Sequence, residues 1–480
     1  MENQTNNQGI QKEKYKPFSI NKHNNYQITS PEYNKHKRHV YIMTKAGRPV
    51  YVRYGDEIES SSFIATMGAI FEKFHIYFSS DKSNSKWQKM IIKNKEIHFL
   101  YRKQLVYICV TALPQKGSNL LENNSNKTAY QQVNASTLFK PQGEQQIVQY
   151  TDFQIGKMLD FLNIQMISIM TDAVNQKLEQ RSNYDPLQNL GDRNQLIGIS
   201  IKNGLNSPSI LFSSYMALPL QSAHRKLIHS ALGEGVKETG VVVACLMTPN
   251  YIIDLFIQKG YDFNVHDILL IQNLLQQMNS LRNSENWIPL CLPGFSCEGF
   301  IYLYVSYIQG DVALVMISTQ NEDFFKCKDA SSQISQKLIQ QNILQNIFQS
   351  ISQMPYSHKI QSNQNSSIIK HFIIIQQESN QYTQPSFVPF GKQPTLFKHY
   401  LSSYSNLYAK FIAAEKNLKN EYLSVSRDQQ EYTGIYSNSD YIILFTLDKF
   451  ISIPEINSQL NLLIKWIKVE EQVKFITKFS

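Results

Sequence analysis

Residues 38–74, RHVYIMTKAGRPVYVRYGDEIESSSFIATMGAIFEKF, run strand, tight turn, strand and amphipathic helix, and that order returns twice along the chain. Two short apolar, β-branched runs, His39–Thr44 and Val50–Tyr54, flank a breaker at Ala46–Pro49, which is a hairpin signature. Beyond Gly55, serines 60–62 offer an N-cap, and Phe63, Ile64, Met67, Ile70, Phe71 and Phe74 fall on one face at helical spacing, the face expected to pack on the core. Three further strands follow at Trp87–Lys93, Glu96–Tyr101 and Leu105–Ala112, and a helix over Phe153–Arg181 is placed to cover the sheet.

The second copy starts at Thr239. Its strands are Val241–Thr248 and Tyr251–Gln258, its helix His266–Leu281, and its later strands Trp287–Leu292, Phe300–Ile308 and Val312–Ser318, closed by helix over Asp329–Ile351. The third copy is more worn: a strand at Ile368–Gln376, a second at Phe387–Pro389 and a helix over Thr395–Leu418 lead into strands at Glu421–Ser426, Glu431–Ser437 and Tyr441–Leu447. A last helix opens at Pro454. The pattern predicts an α+β chain of three sheets, each five-stranded and antiparallel with one helix on one face and helices on the other.

The expected division is a disordered basic leader over 1–36, a first domain over 37–185 carrying a disordered insertion at 115–150, and a helical connection over 186–238. A second domain over 239–352 and a third over 353–480 follow. Leader and insertion are read from their Asn, Gln and Lys content and lack of periodicity.

Composition excludes several classes. The richest apolar run, Val241–Ile257, is broken by Thr248, Pro249, Asn250 and Asp254, so it reads as two strands rather than a membrane span. Met1 is followed by Glu2 without an apolar stretch, which marks no secretory signal, excludes N-myristoylation and points to the cytoplasm. Of the net charge of +9, the first 38 residues carry six lysines and Arg38 against three glutamates, a surface suited to anionic membranes. No nucleic-acid-binding motif accompanies that charge, so nucleic acid is not expected as a partner. The five cysteines, at 109, 245, 291, 297 and 327, lack the two-residue gap of zinc knuckles and read as reduced thiols. No metal or other cofactor is expected. His224 and His229, five apart in a helical run, read as solvated or cap-like. Neither a nucleophile elbow nor an acid–base pair is apparent, so the chain reads as a non-enzyme.

Six segments, in order and at consistent spacing, carry a resemblance: KAGRPVYVRYG with SSFIATMG, ENWIPLCLPGFSCEGFIYLYVSYI with LVMISTQNEDFF, MPYSH, and LLIKWIKVEEQVKFI. Together they resemble the SAND family, the monensin-sensitivity (Mon) subunits of the Mon-Ccz guanine nucleotide exchange complex. The resemblance implies three longin, roadblock-like domains and pairing through the first with a Ccz-type longin subunit. It also implies exchange on a late-endosomal Rab GTPase of the Rab-seven class, at phosphoinositide-bearing late-endosomal and vacuolar membranes to which the chain is recruited peripherally. On that reading Arg48, Tyr51, Arg53 and Tyr54 are candidate GTPase or partner contacts, while Met67 and Gly68 let two first helices approach closely. Trp287, Pro289, Pro293, Phe295 and Phe300 form a family-like structural cluster. The short basic leader departs from the longer acidic regulatory regions of family members. The remaining readings are a three-longin scaffold of the fuzzy type, serving planar polarity or ciliary trafficking, and a longin adaptor without exchange activity.

Overall fold

The computed structural model describes residues 33, 36–78, 88–93, 95–113, 150–354, 368–385, 394–414, 421–427 and 431–477. Most of the leader, the 115–150 insertion up to residue 149, Trp87, Phe387–Pro389 and MPYSH after Met354 therefore lie outside the described residues, whereas Tyr150, expected within the disordered insertion, is buried in the core.

The first sheet holds β1 (Arg38–Thr44), β2 (Pro49–Val52), β3 (Gln88–Ile92), β4 (Lys95–Arg102) and β5 (Leu105–Ala112) in the order β2-β1-β5-β4-β3. Its pairings are all antiparallel. Helix α1 (Ser61–Phe78) lies between β2 and β3 in sequence and covers one face, with Ile64, Met67 and Phe71 against Tyr41, Met43 and Phe99. Helix α2 (Asp152–Met170) covers the other, with Ile155, Met158 and Leu162 against Val40, Ile42 and Tyr107. Because both faces are buried, β1 reads as a continuous apolar run instead of alternating.

The helix expected over Phe153–Arg181 is two helices. Thr151 closes a capping box with Gln154 at the start of α2. Thr171 then takes φ +57° and breaks the helix before α3 (Ala173–Gln180). The break is held from two sides: Asp172 pairs with Lys103 on the β4–β5 turn, and its backbone N–H donates to the Cys297 carbonyl at 2.9 Å.

Next come α4 (Leu187–Leu190), α5 (Asn194–Asn206), α6 (Pro208–Phe212), the two-residue β6 (Tyr215–Met216) and α7 (Ser222–Gly235). The second sheet comprises β7 (Val241–Met247), β8 (Ile252–Ile257), β9 (Asn286–Leu290), β10 (Ile301–Gln309) and β11 (Val312–Ser318). Its order, β8-β7-β11-β10-β9, repeats that of the first. Helix α8 (Val265–Gln277) packs on one face; α7, α9 (Phe324–Gln340) and α10 (Ile343–Gln353) pack on the other. The closing run breaks at Asn342, whose φ is +55°.

Sheets one and two share a core, since α2 packs on α5 and α5 on α8. A buried polar chain fixes their register: Ser200 donates to Gln165 at 2.9 Å, and the Asn273 amide donates to Ser200 at 3.0 Å.

The third sheet departs from expectation. Its strands are β12 (Ile369–Gln376), β13 (Gln381–Thr383), β14 (Tyr422–Arg427), β15 (Glu431–Ser437) and β16 (Tyr441–Asp448), and it is six-stranded, in the order β14-β15-β16-β12-β13-β6. The extra strand is β6, lent by the connection, which pairs parallel to β13 through Gln381 with Tyr215 and Tyr382 with Met216. The second strand of this copy is thus β13, directly after the β12 turn. Helices α11 (Pro394–Ala414) and α12 (Ile453–Lys474) cover opposite faces, and a Ser452–Glu455 capping box with Pro454 opens α12.

Arg225 on α7 ties the last helix down. Its guanidinium is fully buried and donates to the carbonyls of Ile253 (2.5 Å), Leu218 (2.5 Å) and Val473 (3.1 Å). Three antiparallel-rich sheets layered with helices make an α+β fold of longin type.

Candidate partner interface

Helix α1 is seated on its own hairpin by two glycines. Gly47, at φ +79°, leaves room for Ala65, whose Cα is 3.1 Å from where a Gly47 Cβ would stand; a Cβ on Gly68 would meet the Cα of Gly47 at 3.4 Å. Met67 and Gly68 therefore face inward, which corrects the expectation that they lie between two first helices: their close approach is made within the chain.

The opposite face of α1 is the one available to a partner. Phe63, Ile70 and Tyr77 recur every seven residues, two helical turns, and stay 41%, 48% and 80% exposed. Ile58, just before the helix, is exposed beside them in sequence. An apolar stripe on a helix whose other face is already buried is unusual for a solvated surface. Phe63 and Ile70 were grouped with the core-facing residues in sequence; the seven-residue recurrence to Tyr77, running beside Ile64, Met67 and Phe71, is the signal that separates the two stripes.

Of the four hairpin candidates, Tyr51 is buried between the sheet and α2, and burial pushes its hydroxyl up to about 12. It therefore offers no outer contact. Arg48 is exposed at the turn and donates to the Asn183 carbonyl at 2.7 Å, joining the hairpin to the chain after α3. Arg53 donates to the Tyr54 hydroxyl at 3.2 Å and lies over its ring, and that ring stacks on His36 at 3.7 Å. Next to them Tyr33 stacks on His39, whose imidazole is held down to about 4 by burial and then by His36, Lys95 and Arg53. Arg53 and Tyr54 thus form a partly exposed aromatic and cationic patch at one end of the first sheet.

The cluster in the second sheet has two parts. Trp287 lies on the edge strand β9, stacks on Tyr302 at 5.4 Å and donates from its indole to Asn321 at 3.0 Å. Pro289 is exposed on the same edge, where a missing N–H is tolerated. The turn through Pro293, Gly294 and Phe295 is pinned by Asp267, which accepts from the Gly294 N–H at 3.1 Å, while Phe295 stacks on Tyr261. Gly294 leaves no room for a side chain, since a Cβ would stand 2.4 Å from that of Asn264. Phe300 remains 45% exposed.

Cys291 donates its thiol to the Ser296 carbonyl at 3.2 Å, and burial pushes it up to about 12, so it is held as a thiol. His229 is not solvated as expected, because Asp254 on β8 lies against it at 3.3 Å, and that pairing raises the imidazole's affinity for a proton. His224 meets the Asn346 side chain at 3.3 Å. Among the described residues Glu96, His98 and Asp152 are close enough to chelate an ion, but the Lys89 ammonium already sits 2.6 Å from Glu96 and 2.9 Å from Asp152. That arrangement is an ion-pair cluster tying the edge strand β3 to the start of α2.

Residues 239–336, from just before β7 into α9, match the family described as the second longin domain of FUZ, MON1 and HPS1. The chain is 23% identical over 453 residues to "Protein SAND" of Takifugu rubripes, covering 94% of this chain and 78% of that one. It is 24% identical over 459 residues to "Vacuolar fusion protein MON1 homolog A" of Gallus gallus, covering 94% and 74%. To "Vacuolar fusion protein MON1" of Cryptococcus neoformans it is 23% identical over 437 residues, covering 90% and 63%. No helix among the described residues is long and apolar enough to cross a membrane. Homologues of one kind, SAND and MON1 proteins of fish, bird and fungus, thus match the chain along nearly its whole length.

Proposed function

We propose that the chain is one subunit of a heterodimeric guanine nucleotide exchange factor acting on a late-endosomal Rab GTPase in fusion at the vacuole or lysosome. Three longin domains build it, and the first pairs with a Ccz-type longin subunit. The carrying observation is the outer stripe of α1: Phe63, Ile70 and Tyr77 stay exposed while the inner stripe is sunk in the first sheet. The stripe has the form of a helix-to-helix contact, since exposed apolar anchors two turns apart are what a second amphipathic helix covers. The relatives' names, vacuolar fusion proteins, support the vacuolar setting. Peripheral recruitment to anionic phosphoinositide membranes completes the reading, with the basic leader as one contact.

An exchange factor makes and breaks no covalent bond. It binds the nucleotide-free GTPase more tightly than the loaded one, and linkage requires nucleotide to leave faster from the complex. What it needs is a rigid surface, and the glycine-seated helix with the Arg53–Tyr54 patch supplies one on the first sheet.

The matched family also includes FUZ, so that match alone supports a fuzzy-type scaffold equally well; the full-length relatives favour the exchange subunit. Co-purification with a Ccz-type subunit tests the pairing. The wild-type chain retains the subunit, and Ile70→Asp, a change on the exposed stripe, releases it; retention by Ile70→Asp contradicts the reading.

A further inference from the structure

We infer that the seam between the first and second sheets holds a binding site for a single-chain anionic amphiphile, specifically a long-chain fatty acid. Where Thr171 breaks α2 from α3, a groove of about 720 Å³ opens among α2, α3, α4, α5 and the end of α8. That size lies within the range of small-molecule sites, roughly 300–1,000 Å³. Its apolar wall includes Ile169, Met170, Leu196, Met278 and Phe300. Met278 and Phe300, 37% and 45% exposed and both from the second sheet's side of the seam, are among its lining residues, so apolar surface of the groove is presented to solvent.

Charge decides the class of occupant. Two cations, Lys177 and Arg193, line the groove, and among the described residues no carboxylate does. Arg193 is fixed there by donating to the Ile169 carbonyl at 3.2 Å, and the Lys177 ammonium lies 5.5 Å from the centre of the Tyr184 ring. Neither forms an ion pair with a described side chain. An apolar cleft with two cations and, among the described side chains, no carboxylate suits a ligand with one hydrocarbon tail and one anionic head, the carboxylate meeting Lys177 and Arg193 while the tail replaces water along Met170, Leu196 and Met278.

The groove is part of the fold. The break that opens it is clamped by the Lys103–Asp172 ion pair from the first sheet and by the Asp172 N–H bond to Cys297 from the second. Its walls come from both sheets' helices, so occupancy would stiffen one relative to the other. This inference stands independently of the exchange reading.

The test titrates the full chain with cis-parinaric acid, a fluorescent fatty acid, below its micelle concentration, and repeats the titration with its methyl ester. Lys177→Glu and Met278→Asp both alter exposed side chains, and circular dichroism verifies that each variant folds. The expected result is saturable one-to-one binding that weakens about tenfold in each variant and about tenfold for the ester, the scale of one lost charged or desolvated contact. Absence of saturable binding to the wild-type chain overturns the proposal. So does equal affinity in both folded variants, or an ester that binds as tightly as the acid.

Discussion

The Cα of Gly47 lies 3.4 Å from where a side chain on Gly68 would begin, so the first helix and the first hairpin meet backbone to backbone. The contact also involves Met43, whose thioether comes within 3.5 Å of the same point. Gly68→Ala should stay within about 1 kcal/mol of neutral, because the gain in helix propensity offsets a small shift of a flexible Met side chain. Gly68→Leu should cost about 1–3 kcal/mol through overpacking. Gly47→Ala should cost about 1–2 kcal/mol from its left-handed backbone, before any clash with Ala65. Thermal unfolding of the three variants gives the order; a Leu at 68 as stable as the wild type would mean that α1 is not seated on the hairpin.

Substitutions on the outer stripe should separate association from folding. Ile70→Asp and Tyr77→Ser replace exposed side chains and should shift the stability of the isolated chain by no more than about 0.5 kcal/mol. Circular dichroism melts check this. A large loss of stability would show that the stripe packs within the chain.

Arg225 carries the contact between the second sheet and the last helix. Replacing it by Met leaves the carbonyls of Leu218, Ile253 and Val473 without their buried donor and should cost about 3–5 kcal/mol. Hydrogen exchange over residues 470–477 should rise well before the rest of α12 opens. Unchanged protection there would place the clamp elsewhere.

Asp267 predicts a pH dependence. Burial pushes its carboxyl up to about 6, against the N–H groups of Gly294 and Phe295 that favour the charged form, and the unfolded value is about 3.9. Between those values the folded chain binds the extra proton, so stability from this group is fully present below about pH 4 and falls as pH rises through about 6. The loss amounts to about 3 kcal/mol. Asp267→Asn keeps an acceptor for Gly294 and should flatten the contribution between pH 4 and 6 in melts of wild type and variant. A variant with the same slope would remove Asp267 as its source.

Most strands and helices were legible in sequence because their signals are local. Val241–Met247 and Tyr441–Asp448 are apolar runs of strand length next to turn residues, and Pro454 announces α12. What was not legible depends on contacts distant in sequence. Nothing near Thr171 marks a helix break, which is set by Lys103 and Cys297 from two different sheets. Two residues at Tyr215–Met216 carry no strand pattern; they become β6 only because β13 offers an open edge. On α1 the inner and outer stripes interleave, so apolar spacing alone merged Phe63 and Ile70 with the core and placed Gly68 on the wrong side. Tyr51 and His229 were misjudged for the same reason, since α2 buries the one and Asp254 pairs with the other.

The most direct measurement follows release of a fluorescent guanine nucleotide from a late-endosomal Rab of the Rab-seven class, with the chain and a Ccz-type subunit added separately and together. The account predicts acceleration by the pair, little by either alone, and loss of the effect with Ile70→Asp. A pair that associates stably yet leaves the release rate at its spontaneous value would contradict it.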